Sequence, residues 1–308
     1  MNIHSKCSIY TTFTMPLSKE KLQNIIDSLT VNNHLIFRFG DISEVFESNK
    51  ESWELGVKMT ARKLLNALIK SNFLTEIRLD FPFRKEIRYS TQDVPLIKKL
   101  QLMFPDAYYC HQTAAIFHEF LKVEQSKIYL NIEQNLKSNA SGSLDQESIH
   151  RAFRNRPRIT TNKINYEGHE IYILNGKNTA LLGVTKIELP SIGIINTTTP
   201  ERTLIDMVVR PFYSNGSKTV LEAFRNAQNK ISVDRLKSLY NKLDYIYPYQ
   251  QAIGFYLEAS GNYTPEDIQL FEKKKFRFDF YLCNAIKKGS YSKRWRIHYP
   301  ADLLDSDD

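Results

Sequence analysis

Apolar positions in the first third of the chain recur at helical spacing three times. Leu22, Ile25, Ile26 and Leu29 share one face over 18–29, with Ser18 placed to cap it. Ile42, Val45 and Phe46 mark a shorter helix over 41–48, and Ala61, Leu64, Leu65, Leu68 and Ile69 mark a third over 59–71, closed by Asn72. The period then drops to two: 73–79 alternates as a strand, Phe81-Pro82-Phe83-Arg84 turns, and 86–89 returns. Residues 91–105 read as a junction punctuated by Pro95 and Pro105, with a connecting helix over 96–103. Beyond it, 111–118 reads as a helix, and 127–133, 170–174, 186–189 and 192–196 read as strands. The polar stretch 135–147 reads as a mobile loop. From Pro200 the pattern is helical over 200–209, 217–229, 233–242, 249–259 and 265–273, before 276–282 alternates as a strand.

Three helices followed by a basic two-stranded ribbon form the plan of a winged helix-turn-helix. The predicted fold is mixed α+β: such a domain over 1–94, then a larger α/β domain over 95–308 with a helix-rich end. The 308 residues suffice for two cores, and 42% apolar with 25% charged residues is an ordinary globular composition. No stretch reads as a signal peptide or a membrane span. Three scattered cysteines (Cys7, Cys110, Cys283) form neither a disulfide framework nor a metal motif, so a cytoplasmic protein is expected.

The net charge of +8 is unevenly spread. Asp41, Glu44, Glu47, Glu51 and Glu54 face only Lys50 over 41–54, whereas Lys58, Arg62, Lys63, Lys70, Arg78, Arg84, Lys85 and Arg88 outnumber Glu76, Asp80 and Glu86 over 58–88. The third helix divides its labour: an apolar back, and a front of Thr60, Arg62, Lys63, Asn66 and Lys70. That is what a recognition helix in a major groove requires. Lys58 extends this face, and Arg84 and Lys85 supply phosphate contacts from the ribbon. The alternative is a small helical domain with a solvated basic face.

The segment Thr199-Pro200-Glu201-Arg202-Thr203-Leu204-Ile205-Asp206 opens with an N-cap and a proline at the first helical position, and Pro211 stops the helix after about three turns. Arg202, Asp206 and Arg210 lie four apart on one ridge, beside Glu201. The ridge either pairs with itself or receives a partner. Arg151, Arg154, Arg156 and Arg158 follow one another with no acid between them. They suit a nucleic acid or an acidic protein surface, or else a solvated loop edge. His111 and His118, two turns apart, have the wrong spacing for one-helix chelation and read as structural. The tyrosines around 240–256 read as core between helices, and Tyr247-Pro248-Tyr249 as a rigid lead-in to one of them.

No hydrolase, zinc or phosphate-loop motif is present, and Gly168, Gly176 and Gly183 read as isolated turn glycines. A carboxylate nuclease built on Asp106 lacks the acid and lysine that should follow on the next strand, since Glu124 and Lys127 are mis-spaced for it. The chain is therefore expected to act by binding rather than catalysis, with no cofactor or metal.

The run "TTPERTLIDMVVRP", then "FYSNG", then 219–261 and the final "KRWRIHYP" together resemble the AbiEi-type antitoxins of type IV (abortive infection) toxin–antitoxin systems. The resemblance covers roughly 95–300 and departs from the family pattern at Gln250, where a histidine is common, and at Asn215, where a glycine is. It implies a repressor that binds its own operator DNA, a nucleotidyltransferase toxin as functional partner, and an antitoxin role for Glu201, Arg202, Asp206 and Arg210. A stand-alone winged-helix regulator is the alternative.

Overall fold

The structure is a computed structural model and describes residues 17–30, 34–91, 93–136, 144–273 and 275–305. It is a mixed α+β protein with several sheets. Two compact units divide the chain: one formed by residues up to Leu79 with Lys85–Lys99, the other by Asp80–Arg84 with everything from Leu100 on.

The first unit runs α1 (Lys19–Thr30), β1 (Ile36–Phe37), α2 (Phe39–Asn49), α3 (Ala61–Lys70), β2 (Leu74–Phe81) and β3 (Arg84–Thr91). Its sheet has the order β1-β3-β2, with Ile36 opposite Ser90 and Phe37 opposite Tyr89 in antiparallel register. The two-residue β1 adds a strand to the ribbon read from the sequence. Ile25, Leu29, Ile42, Phe46, Leu64, Leu65 and Leu68 meet over the sheet residues Phe37, Leu74 and Tyr89 to form one core. Burying a side chain of this size contributes about 1.5–3 kcal/mol. Two caps fix the ends of α3. The Lys63 N–H donates to Thr60 Oγ1 (3.3 Å). At the other end Asn72 takes a left-handed φ of 59°, letting its own N–H reach Ile69 O and the Phe73 N–H reach Leu68 O, so the chain reverses into β2.

The helix α4 (Leu96–Met103) joins the units in sequence. The second unit continues with β4 (Tyr108–Tyr109), α5 (His111–Phe117), β5 (Lys127–Asn131), α6 (Gln146–Arg154), β6 (Lys163–Tyr166), β7 (His169–Leu174), β8 (Val184–Leu189) and β9 (Gly193–Thr198). The six strands form one sheet of order β6-β7-β5-β4-β9-β8, with the β5–β7 and β4–β9 pairs parallel and the others antiparallel. The α6 helix is a correction: the polarity of 135–147 hid a start at Asp145, whose carboxylate accepts from the Ser148 N–H (2.7 Å). Part of that predicted loop, 137–143, lies outside the described residues.

Next come α7 (Pro200–Val209), a 3-10 turn (Pro211–Ser214), α8 (Ser217–Ala227), α9 (Val233–Leu243), α10 (Tyr249–Ser260) and α11 (Pro265–Gln269). The chain closes on a small sheet of β10 (Phe280–Tyr281), β11 (Gly289–Ser292) and β12 (Ile297–Pro300), in the order β10-β12-β11. The strand expected over 276–282 shrinks to two residues. Helix α10 is apolar on nearly every side and runs through the core, as such a helix must. Its Gly254 makes room for the fully buried Trp295: a Cβ there would lie 2.8 Å from Trp295 Cε3 and closer still to two other indole carbons. No helix among the described residues is long and apolar enough to cross a membrane.

Candidate functional site

Two places carry candidate chemistry. On the first unit, Lys58, Thr60, Arg62, Lys63, Asn66 and Lys70 are all exposed at and around α3, opposite its buried face. They are not equally available. The Thr60 hydroxyl caps the helix by accepting from the Lys63 N–H. The Arg62 guanidinium lies over the Phe39 ring at 4.1 Å, and Lys63 Nζ donates to the Lys58 carbonyl (2.7 Å). The side chains of Lys58, Asn66, Lys70 and Lys85 have no hydrogen-bond or ion-pair partner among the described residues. Residues 80–84 belong to the second unit, where the Arg84 guanidinium lies 5.2 Å from the Phe81 centroid and 5.8 Å from that of Phe104. The acidic stretch 41–54 is partly neutralised, by Lys21 on Glu54 (3.1 Å) and Lys50 on Glu47 (2.7 Å).

On the second unit, α7 places charge inside the protein. Thr199 Oγ1 accepts from the Arg202 N–H (3.3 Å), Pro200 occupies the first turn, and every residue from Glu201 to Val208 is buried. The ridge pairs with itself: Arg202 Nε donates to Asp206 Oδ1 at 2.8 Å, with the two residues 4% and 7% exposed. Burial opposes the charged guanidinium, but Asp206, Tyr245 and Tyr108 together outweigh it and raise the Arg202 pKa. Glu201 points elsewhere, accepting from Arg235 Nε (2.9 Å) and the Ser232 N–H (3.1 Å). The four residues marked in the sequence are therefore not one surface.

Arg202, Asp206 and Arg210 line a cavity of about 60 Å³ with Tyr108, Cys110, His111, Asn131, Lys177 and Tyr245. A polar chain extends from it. Arg202 Nη1 reaches the Leu182 carbonyl and Thr179 Oγ1 (3.4 Å). Thr179 donates to Glu133 through its N–H (2.8 Å) and its hydroxyl, Tyr108 Oη donates to Glu133 (3.3 Å), and Asn131 Nδ2 donates to Tyr108 Oη (2.8 Å). Burial would raise the Glu133 carboxyl, but the donors from Thr179 and Leu181 outweigh it and hold the pKa below the usual value.

Two glycines read as plain turn residues have sharper reasons. A Cβ on Gly176 would meet Asn131 Oδ1 at 2.7 Å, where the Gly176 N–H now donates (2.9 Å). Gly183, at φ 74°, lies so close to Arg202 that a Cβ would be 3.0 Å from its Cβ.

Cys110 and His111 are not poised as a nucleophile and base. Burial, reinforced by Asp206, pushes the Cys110 thiol up, against the pull of Arg202 and Arg210. Burial lowers His111 to about 4, with Asp206 opposing and Arg210 and Arg202 adding. The imidazole is therefore neutral, and its buried Nδ1 has no hydrogen-bond partner. Its backbone φ is 52°, a left-handed conformation uncommon for a residue with a side chain. His118 is structural, its Nε2 lying 2.7 Å from the Thr198 carbonyl. Asp106 and Glu133 line a neighbouring cavity of about 540 Å³ with Lys186, while Glu124 and Lys127 do not line it. No group of three metal-ligating side chains occurs among the described residues.

The architecture defines an α+β protein of two units. No protein-family model matches the chain, and no curated protein matches it. It is similar in fold to the crystal structure of the RV2827C protein from Mycobacterium tuberculosis, with a TM-score of 0.59 and 11% identity over 92% of this chain and 93% of that one. At that identity the likeness is one of fold alone.

Proposed function

We propose that this chain is the DNA-binding antitoxin of a type IV toxin–antitoxin pair. In this reading the first unit is a winged helix-turn-helix that grips operator DNA, and the second counters a nucleotidyltransferase toxin by binding rather than catalysis. One observation carries the DNA half: α3 is packed on its apolar side and capped at both ends, and presents Asn66 and Lys70, both without side-chain partners among the described residues, on its outer side. A side-chain amide on such a face pairs with adenine N6 and N7 in a major groove, while Lys58, Lys63, Lys70 and Lys85 suit flanking phosphates. The antitoxin half rests on the resemblance around Pro200–Val209, a helix that buries the Arg202–Asp206 pair.

The test is fluorescence anisotropy on a fragment from upstream of the gene. Lys70→Ala weakens binding on every duplex alike and lowers the salt slope by about one unit. Asn66→Ala relaxes preference at one base pair, costing about 1–3 kcal/mol of discrimination. Unchanged affinity after replacing Lys58, Lys63, Asn66, Lys70 and Lys85 together refutes the DNA reading. For the antitoxin half, co-expression with the adjacent reading frame restores growth, and failure to do so refutes it.

A further inference from the structure

We propose that the second unit binds a single strand of nucleic acid across its small sheet, stacking a base on Tyr291 at the exposed end of an aromatic row and seating phosphates on the cations of α6. This is independent of the duplex-binding role given to the first unit.

The sheet has two unlike faces. Register places Tyr281 opposite His298 and His298 opposite Tyr291, so one ring from each of β10, β12 and β11 falls in a single row. The next residues along the strands, Phe280 and Ile297, are fully buried in the core, so the ring row occupies the opposite face. Tyr281 is stacked between Phe153 (5.7 Å, 11°) and His298 (4.8 Å, 24°), so its faces are covered, while Tyr291 lies 4.8 Å from His298 at the end of the row and remains 42% exposed. The row is held in place. His150 Nδ1 lies 2.7 Å from Tyr281 Oη, and Tyr291 Oη donates to Asp279 Oδ1 at 2.6 Å.

The cations stand beside the row. Helix α6 buries Ile149 and Phe153 and turns Arg151 and Arg154 outward. These two arginines line a cavity of about 450 Å³ with His150, Phe153, Tyr281, Ile286 and one acid, Glu147. Gln146 locks α6 to the sheet, donating to the Asp279 carbonyl (2.9 Å) and accepting from its N–H (2.8 Å). Past the helix in sequence come Arg156 and Arg158. All four arginines are exposed and have no ion pair among the described residues, and the same holds for Lys287, Lys288 and Lys293. Asp279, the acid nearest the rings, is already engaged by Arg296 Nε (2.9 Å).

Cations alone would suit any polyanion. A rigid, exposed ring beside them, Tyr291, suits a base, because each base offers a π-face for stacking. A duplex hides those faces within its own stack, so the occupant is a single strand.

The experiment measures anisotropy of labelled ten-residue oligo-uridylate and oligo-thymidylate on the full chain carrying Lys58→Ala, Lys63→Ala, Asn66→Ala, Lys70→Ala and Lys85→Ala, which removes the contacts proposed for the first unit. Both oligonucleotides bind, and a preference between them shows whether the 2′-hydroxyl is read. Tyr291→Ala weakens binding about 5- to 150-fold, as the loss of one stacked base requires. Tyr291→Phe, which keeps the ring, retains binding. Arg151→Ala and Arg154→Ala each reduce the salt slope by about 0.7. Melting curves confirm that each variant is folded. Three results overturn the proposal: no oligonucleotide binding at low salt, equal affinities for Tyr291→Ala and wild type, or equal displacement by poly-glutamate of the same charge, which would mark a mere polyanion patch.

Discussion

Replacing Arg202 by Met tests the buried pair on α7 most directly. Both charges lie out of water, so deleting the guanidinium leaves the Asp206 carboxylate uncompensated and the Leu182 carbonyl without its donor. Breaking a buried pair typically costs about 3–5 kcal/mol. Arg210 lines the same cavity and softens the loss, so the lower end, about 3 kcal/mol, is expected. For a unit of this size each kcal/mol moves the melting point about 2–4 °C, giving a drop of roughly 6–12 °C. Removing both partners, as Arg202→Met with Asp206→Leu, restores most of the stability, because the stranded charge disappears with its partner. Urea melts of the wild type, both single variants and the double close a thermodynamic cycle. A single variant within about 0.5 kcal/mol of wild type, or a double no better than the worse single, refutes the electrostatic account. Rescue of toxin-expressing cells by the stable double variant would assign the pair to folding alone.

Three further outcomes follow from the geometry. His111 has a folded pKa of about 4, below its ordinary 6.5, so the unfolded chain binds more protons between those values and stability falls as pH drops through that window. His111→Gln flattens this part of a denaturation-versus-pH profile. Gly254→Ala forces a methyl into the Trp295 indole and costs about 1–3 kcal/mol or more, read as a lower melting point with a red-shifted tryptophan emission. Thr60→Ala removes the α3 cap and costs about 1 kcal/mol in a urea melt while leaving the base preference on DNA unchanged.

Much of the fold was legible because long helices repeat their apolar face several times. The helices at α1, α4, α7 and α9 lie within a residue or two of their predicted spans. What escaped was short or disguised. Strands β1 and β4 have two residues each, too few for alternation to register, and β10 lies within the alternating stretch 276–282 but keeps only two of its residues. Helix α6 has only Ile149 and Phe153 to mark its buried face, among charged and polar neighbours. The site was half visible. Thr199, Pro200 and the Arg202–Asp206 spacing are local, and a four-residue gap on one helix implies contact. The cavity's other walls come from four distant segments, around Tyr108–His111, Asn131, Gly176–Thr179 and Tyr245. No pattern along the chain links them. The Tyr281–His298–Tyr291 row escaped for the same reason: only strand register brings those rings side by side.

The two-residue strand β4 has a kinetic consequence. It joins β6-β7-β5 on one side to β9-β8 on the other. The outer hairpins β6–β7 and β8–β9 close over short turns and can form early. The seam cannot, because Tyr109 must find Thr197, 88 residues away along the chain. Closing a loop of that length loses chain entropy before any pairing repays it, so the meeting of the two half-sheets sets the refolding rate of the second unit.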